Sequence, residues 1–244
     1  MTETLVVLGA TLVAATAQTV AGFGFALIAV PLLVTVLEVK DAVATAALLS
    51  FFNVAGVAWR GRDHVPWPIV RFLLVGSVCG MPLGLALLLG VSGDVLRIAV
   101  GAVSIAMASA IGLGFSLRAP GRVGTFGVGV VAGVLSTSIA INGPPVVLYL
   151  QALRHPPDTF RSAISTFFVW NGLVSLSLFA VSGVIGRHMM PPALYALPGL
   201  VLGHWLGHLL WPRFSPQTFR RFVLGLLVVS ASVSLFDGLV RTFG

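Results

Sequence analysis

Eight apolar segments, at about 5–37, 41–59, 66–90, 94–117, 123–153, 162–182, 192–211 and 220–240, follow one another with only short charged or Pro/Gly gaps between them. Most reach the ~20 residues that cross a bilayer. Backbone in hydrocarbon has no water to bond, so such runs fold as helices or as strands of a closed barrel. The alternation that marks barrel strands is absent, so the chain reads as an all-α polytopic membrane protein. Only 9% of its residues are charged, against roughly 25% in soluble domains. No gap is long enough for a soluble domain.

Met-Thr-Glu-Thr at the start lacks the positive region of a signal peptide, so the first apolar run is read as mature structure. One cysteine, Cys79, excludes an internal disulfide and a Cys-based metal site; it is read as a small packing residue. A net charge of +7 would suit nucleic acid, but the arginines sit in the gaps, where the excess of Lys and Arg in cytoplasmic loops accounts for them. No nucleic-acid partner is expected.

Two segments are anomalous. Residues 5–37 as one helix would run about 50 Å, beyond the ~30 Å hydrocarbon core. Gly22-Phe23-Gly24 interrupts that segment, and Asn142-Gly143-Pro144-Pro145 interrupts 123–153. Each is expected to be a hairpin of two half-helices that returns to its starting side. Shifting the chain by 118 places Asn53 on Asn171 and Gly24 on Asn142, and further along "GMPLG" at Gly80 and Gly84 matches "GLVLG" at Gly199 and Gly203. The common order points to two repeats, 1–120 and 121–244, each a hairpin plus three crossings. With two hairpins, Arg60, Arg62, Arg71, Arg118, Arg122, Arg154, Arg161, Arg213, Arg220 and Arg221 share one side, and Lys40, Arg97, Arg187 and Arg241 the other. That bias favours hairpins and puts both termini outside the cytoplasm. Three crossings per repeat invert the second repeat relative to the first.

Non-helical backbone at membrane depth is tolerated where protein or a watery cavity satisfies it. Inverted hairpins would bring their tips together near the midplane, where new helices begin beyond Gly24 and at Pro144. Two helix N-termini, each with unpaired N–H groups and about half a positive charge, favour an anion. The candidate site therefore holds Gly22, Phe23, Gly24 and Phe25 of one tip and Asn142 and Gly143 of the other. Gln18 and Thr19, with Ser136, Thr137 and Ser138, lie at the ends of the first arms. Asn53 and Asn171 are polar within apolar helices, fitted either to the site or to interhelical bonding. Trp170 is placed in the cavity or at an interface. Gly80, Gly84, Gly199, Gly203 and Gly207 are assigned to close packing. His204 and His208 share a helix face and are fitted to interhelical bonding or a proton relay; two histidines do not complete a zinc site. All seven acids lie at segment ends or in gaps. No paired carboxylates, phosphate loop, metal site or cofactor motif is present, so an enzyme is not expected.

"AGFGFALIAVPLL" (21–33) followed by "GVLSTSIAINGPPVVLYL" (133–150) resembles the paired signatures of the TauE/SafE family of membrane permeases, and the likeness covers nearly the whole chain. The sequence departs from the pattern with Phe25-Ala26 and Asn142 where glycine is common. The resemblance implies export of sulfite or organosulfonates such as sulfoacetate. The expectation is a secondary transporter in the inner membrane, working by alternating access; an anion channel is the rival. Its expected partners are the small anion, the lipid bilayer and a coupling proton or sodium. A homo-oligomer stays open.

Overall fold

The structure is a computed structural model that describes residues 2–113, 121–186 and 190–210, together with positions 225 and 232. The eighth apolar segment, 220–240, and Arg118, Arg187, Arg213, Arg220, Arg221 and Arg241 lie outside the described residues. Those described are helical throughout apart from short connections: α1 Thr2–Ala21, α2 Phe25–Leu33, α3 Val39–Arg60, α4 Trp67–Gly90, α5 Gly93–Gly112, α6 Arg122–Ile139, α7 Gly143–Ala152, α8 Pro157–Val181 and α9 Met190–Leu210. Among them, seven helices are long and apolar enough to cross a membrane. The chain is a multi-pass membrane protein.

Both anomalous segments break where the sequence places the breakers. In the first, Gly22 and Gly24 take φ of +82° and +99°, a left-handed backbone that only glycine adopts without strain. In the second, Ala140 takes φ of +59° and the chain restarts as α7 at Gly143-Pro144-Pro145. Proline suits a first turn because its missing N–H would have no intrahelical partner. The arms, however, are unequal. At 1.5 Å per residue, α1 and α6 run about 30 and 27 Å, while α2 and α7 run about 14 and 15 Å. The breaks fall late in their segments, so the first arms are full-length helices and only the second arms are half-helices. Thr125 and Tyr149 share a hydroxyl–hydroxyl bond of 2.6 Å that joins the first turn of α6 to the last turns of α7. α2 likewise packs against α1.

Glycines set the helix pairing. Gly76, Gly80 and Gly84 of α4 lie on the backbone of Phe126, Val130 and Val134 of α6, so these two helices run parallel. In the same way Gly199, Gly203 and Gly207 of α9 lie against Leu8, Leu12 and Thr16 of α1, also parallel. A Cβ at Gly199 would stand 2.5 Å from the Leu8 carbonyl oxygen, too close for any side chain. The packing assignment of these glycines is correct, and backbones this close are what small residues permit in a bundle. Phe126 and Leu8 are related by the shift of 118, so their glycine partners Gly76 and Gly199 occupy corresponding places, one turn away from the match of Gly80 with Gly199 drawn from the sequence. α3 and α8 run antiparallel, with Gly61 on Ser162 and Gly172 on Phe51.

Two polar or charged residues stand elsewhere than expected. Cys79 is exposed, because α4 turns Gly76, Ser77 and Gly80 inward and leaves Cys79 on the opposite face. Arg97 is buried at 6% exposure rather than lying in a gap. Its Nε donates to the Val34 carbonyl at 3.1 Å and its Nη1 pairs with Asp94 at 3.2 Å. A cation at carbonyls just past the end of α2 complements the negative end of that helix.

Candidate functional site

The two breaks meet. Gly24 and Phe25 of the first and Ala140, Ile141, Asn142, Gly143 and Pro144 of the second line one cavity, with Gln18, Ser50 and Phe168 as walls. The cavity measures ≈ 20 Å³, about the room one water needs. A second cavity of ≈ 30 Å³ lies beside it and shares Ala26, Ser50, Ala140, Asn142 and Phe168. It extends to Ser136, Asn171 and Ser175.

The start of each short helix faces the first cavity. A helix leaves its first N–H groups without intrahelical partners. In α2 these belong to Phe25, Ala26 and Leu27, since the first helical bond runs from the Ile28 N–H to the Gly24 carbonyl at 3.2 Å. In α7 the supply is smaller, because Pro144 and Pro145 in its first turn have no N–H. The expected pair of equivalent anion-binding ends is therefore uneven.

Two polar clusters brace the tips. In one, Asn171, fully buried, accepts at Oδ1 from the Asn142 amide at 2.6 Å and the Ser136 hydroxyl at 2.7 Å. Its own amide donates to Ser77 Oγ on α4 at 2.6 Å, and Ser136 and Ser175 share a bond of 2.9 Å. In the other, the Asn53 amide donates to Gln18 Oε1 at 2.6 Å, and Gln18 donates to Ser50 Oγ at 3.4 Å. Asn53 Oδ1 meets His204 Nδ1 at 3.1 Å, Thr19 meets the same nitrogen at 3.3 Å, and His204 Nε2 meets His208 Nε2 at 3.2 Å. Interhelical bonding, one of the two readings of the asparagines, is what both side chains do.

Of the residues singled out from sequence, Gln18, Gly24, Phe25, Asn142 and Gly143 line the first cavity, and Ser136, Asn142 and Asn171 line the second. Asn53 stands behind Gln18 and lines neither cavity. Gly22 and Phe23 shape the turn without lining either. Thr137 and Ser138 donate their hydroxyls to the carbonyls of Met81 and Val134, each at 2.7 Å. Trp170 is 48% exposed and lies outside both linings. Sequence reasoning missed Ser50, Ser77, Phe168 and Ser175. Ser50 stands three residues before Asn53 and Ser175 four after Asn171, so helical spacing carried a signal for both. Ser77 carried none.

The family model described as "Sulfite exporter TauE/SafE" matches residues 7–233. A curated protein of Cupriavidus necator named "Probable sulfite/organosulfonate exporter TauE" is 28% identical over 227 residues, which cover 89% of this chain and 88% of that one. No solved structure matches. A match that runs through both broken segments, with the breaks facing one cavity, leaves one assignment: the chain belongs to the TauE/SafE sulfite exporter family.

Proposed function

We propose that this chain is a secondary transporter that exports a small sulfur oxyanion, sulfite or an organosulfonate such as sulfoacetate, by alternating access. The observation that carries the reading is the cavity shared by both breaks, with two helix N-termini directed at it and no lysine or arginine in its lining. Phe25, Ala26, Leu27 and Gly143 would bind the anion through backbone N–H groups, and the positive ends of α2 and α7 would add about half a charge each. The name of the Cupriavidus relative supports the substrate class.

The helix directions support two inverted, re-entrant hairpins. Call the face beside Arg62 the first face. α3 runs toward it and α4 away from it, so α6, parallel to α4, enters from the first face and α7 leads back to it. α8, antiparallel to α3, also runs away from the first face, and α9 returns toward it. α1, parallel to α9, thus enters from the opposite face. Inverted repeats around a central site are the design on which alternating access rests in many secondary transporters. A sulfur oxyanion does not fit ≈ 20 Å³, so the tips must separate for it to enter. Purified protein in liposomes preloaded with unlabelled sulfite should drive counterflow of labelled sulfite. Dissipation of a gradient without counterflow would make the protein a channel instead.

A further inference from the structure

The geometry points to the His204–His208 pair as a proton-binding site that couples proton movement to the anion, a step that rests on the transport reading above. Interhelical packing accounts for His204, which bonds to α3 through Asn53 and to α1 through Thr19. It does not account for His208. That ring is exposed, lies two residues before the end of α9, and sits edge-on to His204 with centroids 4.7 Å apart. Its partner among the described bonds is the other ring.

The donors can be assigned in order. The Asn53 amide donates to Gln18, so Asn53 Oδ1 is an acceptor and His204 must carry its hydrogen on Nδ1. Neutral His204 then presents a bare Nε2 to His208 Nε2 at 3.2 Å, which therefore holds a hydrogen. A proton arriving from water at His208 Nδ1 makes that ring a cation. Transfer of its Nε2 hydrogen to His204 Nε2 moves the positive charge one ring inward, and His208 is left neutral. Atoms and charge balance, with one proton taken from bulk water. The charge then stands two hydrogen bonds from Gln18, which lines the anion cavity. An imidazolium there favours the anion, and by reciprocity the bound anion favours the proton.

α9 packs against α1 and α3, from which Thr19 and Asn53 face His204. The charged groups of those two helices, Glu3, Lys40, Asp41 and Arg60, stand in their first or last turns.

Ring signals of the histidines in the purified full chain, followed by NMR against pH, test the pair without substrate. In wild type the two rings should titrate as one coupled unit, and His208→Gln should shift the His204 titration. A His204 ring indifferent to His208→Gln would overturn the proposal. In liposomes, the ratio of pH-gradient-driven to counterflow uptake of sulfoacetate, whose groups do not titrate near neutrality, should fall about tenfold in His208→Gln and in His204→Gln, a size ordinary for coupled sites. An unchanged ratio in both variants would overturn it as well. Wild-type protein that moves no anion at all would sink the transport reading, while the ring titration would still decide the proton site.

Discussion

Asn171 is the residue on which the second tip leans. Its single carbonyl accepts from both Asn142 and Ser136, and its amide holds Ser77 of the neighbouring helix. Asn171→Leu would take one partner each from Asn142 and Ser136, which keeps Ser175, and would remove the described partner of fully buried Ser77, an unsatisfied buried group costing about 1–3 kcal/mol. We expect a lower unfolding temperature in detergent and anion affinity weakened roughly ten- to a hundredfold. Asn142→Ala alone should be milder, and the double variant should fall short of the sum by about 0.5–3 kcal/mol, because the two side chains share a bond. Additive effects on stability and on Kd would mean that the Asn142–Asn171 bond does not brace the tip. The pairing itself was half legible. Gln18 and Asn53 are 35 residues apart, as are Ser136 and Asn171, and each pair bonds. The shift of 118 that equates the asparagines therefore also equates their partners. The role of Ser77 was not legible, since which of many serines faces inward depends on how closely α4 and α6 approach.

Among the elements, the two short helices both begin at the shared cavity and differ in how they are made. The first break depends on glycine at Gly24, where φ is +99°. The second puts its left-handed residue at Ala140, the position equivalent to Gly22, and starts its helix at Gly143 without a positive φ. Gly24→Ala should cost more than about 1 kcal/mol of stability, because an L side chain is strained there whatever the space. Gly143→Ala should be nearly free of such strain, as its added Cβ would meet Phe168 at an ordinary 3.4 Å. Thermal unfolding and counterflow of the two variants measure the contrast. Equal damage would mean that the turn geometry differs from this one. By residue type the two glycines are alike, and Gly143 even sits beside two prolines. Backbone angle decides instead, and angle is not written in residue type. The positions of the breaks were legible because four helix breakers inside an apolar run have few other uses. The lengths of the arms were not, because α1 continues to Thr2 through residues whose polarity suggested an end.

For the whole molecule, the helix directions predict sidedness. In a Cys79→Ser background, needed because Cys79 is exposed, single cysteines at Arg62, Arg122 and Arg154 should react with an impermeant thiol reagent from one face. A cysteine at Asp94 should react from the other, and the arginine bias predicts labelling of the first set from the cytoplasmic side. Labelling at 62 and 122 from opposite faces would remove the hairpins and, with them, the inverted arrangement. Residue order alone places the chain in a bilayer and marks where its helices run and where two segments break. Those properties follow from apolar length and from the backbone demands of glycine and proline, which are local. Only the tertiary structure shows that Asn171 lines the cavity beside the shared one, that Asn53 stands behind Gln18, and that His208 touches His204. Each of these depends on which glycine faces let helices approach, as Gly76 of α4 on Phe126 and Gly199 of α9 on Leu8, and such contacts join residues far apart in the chain.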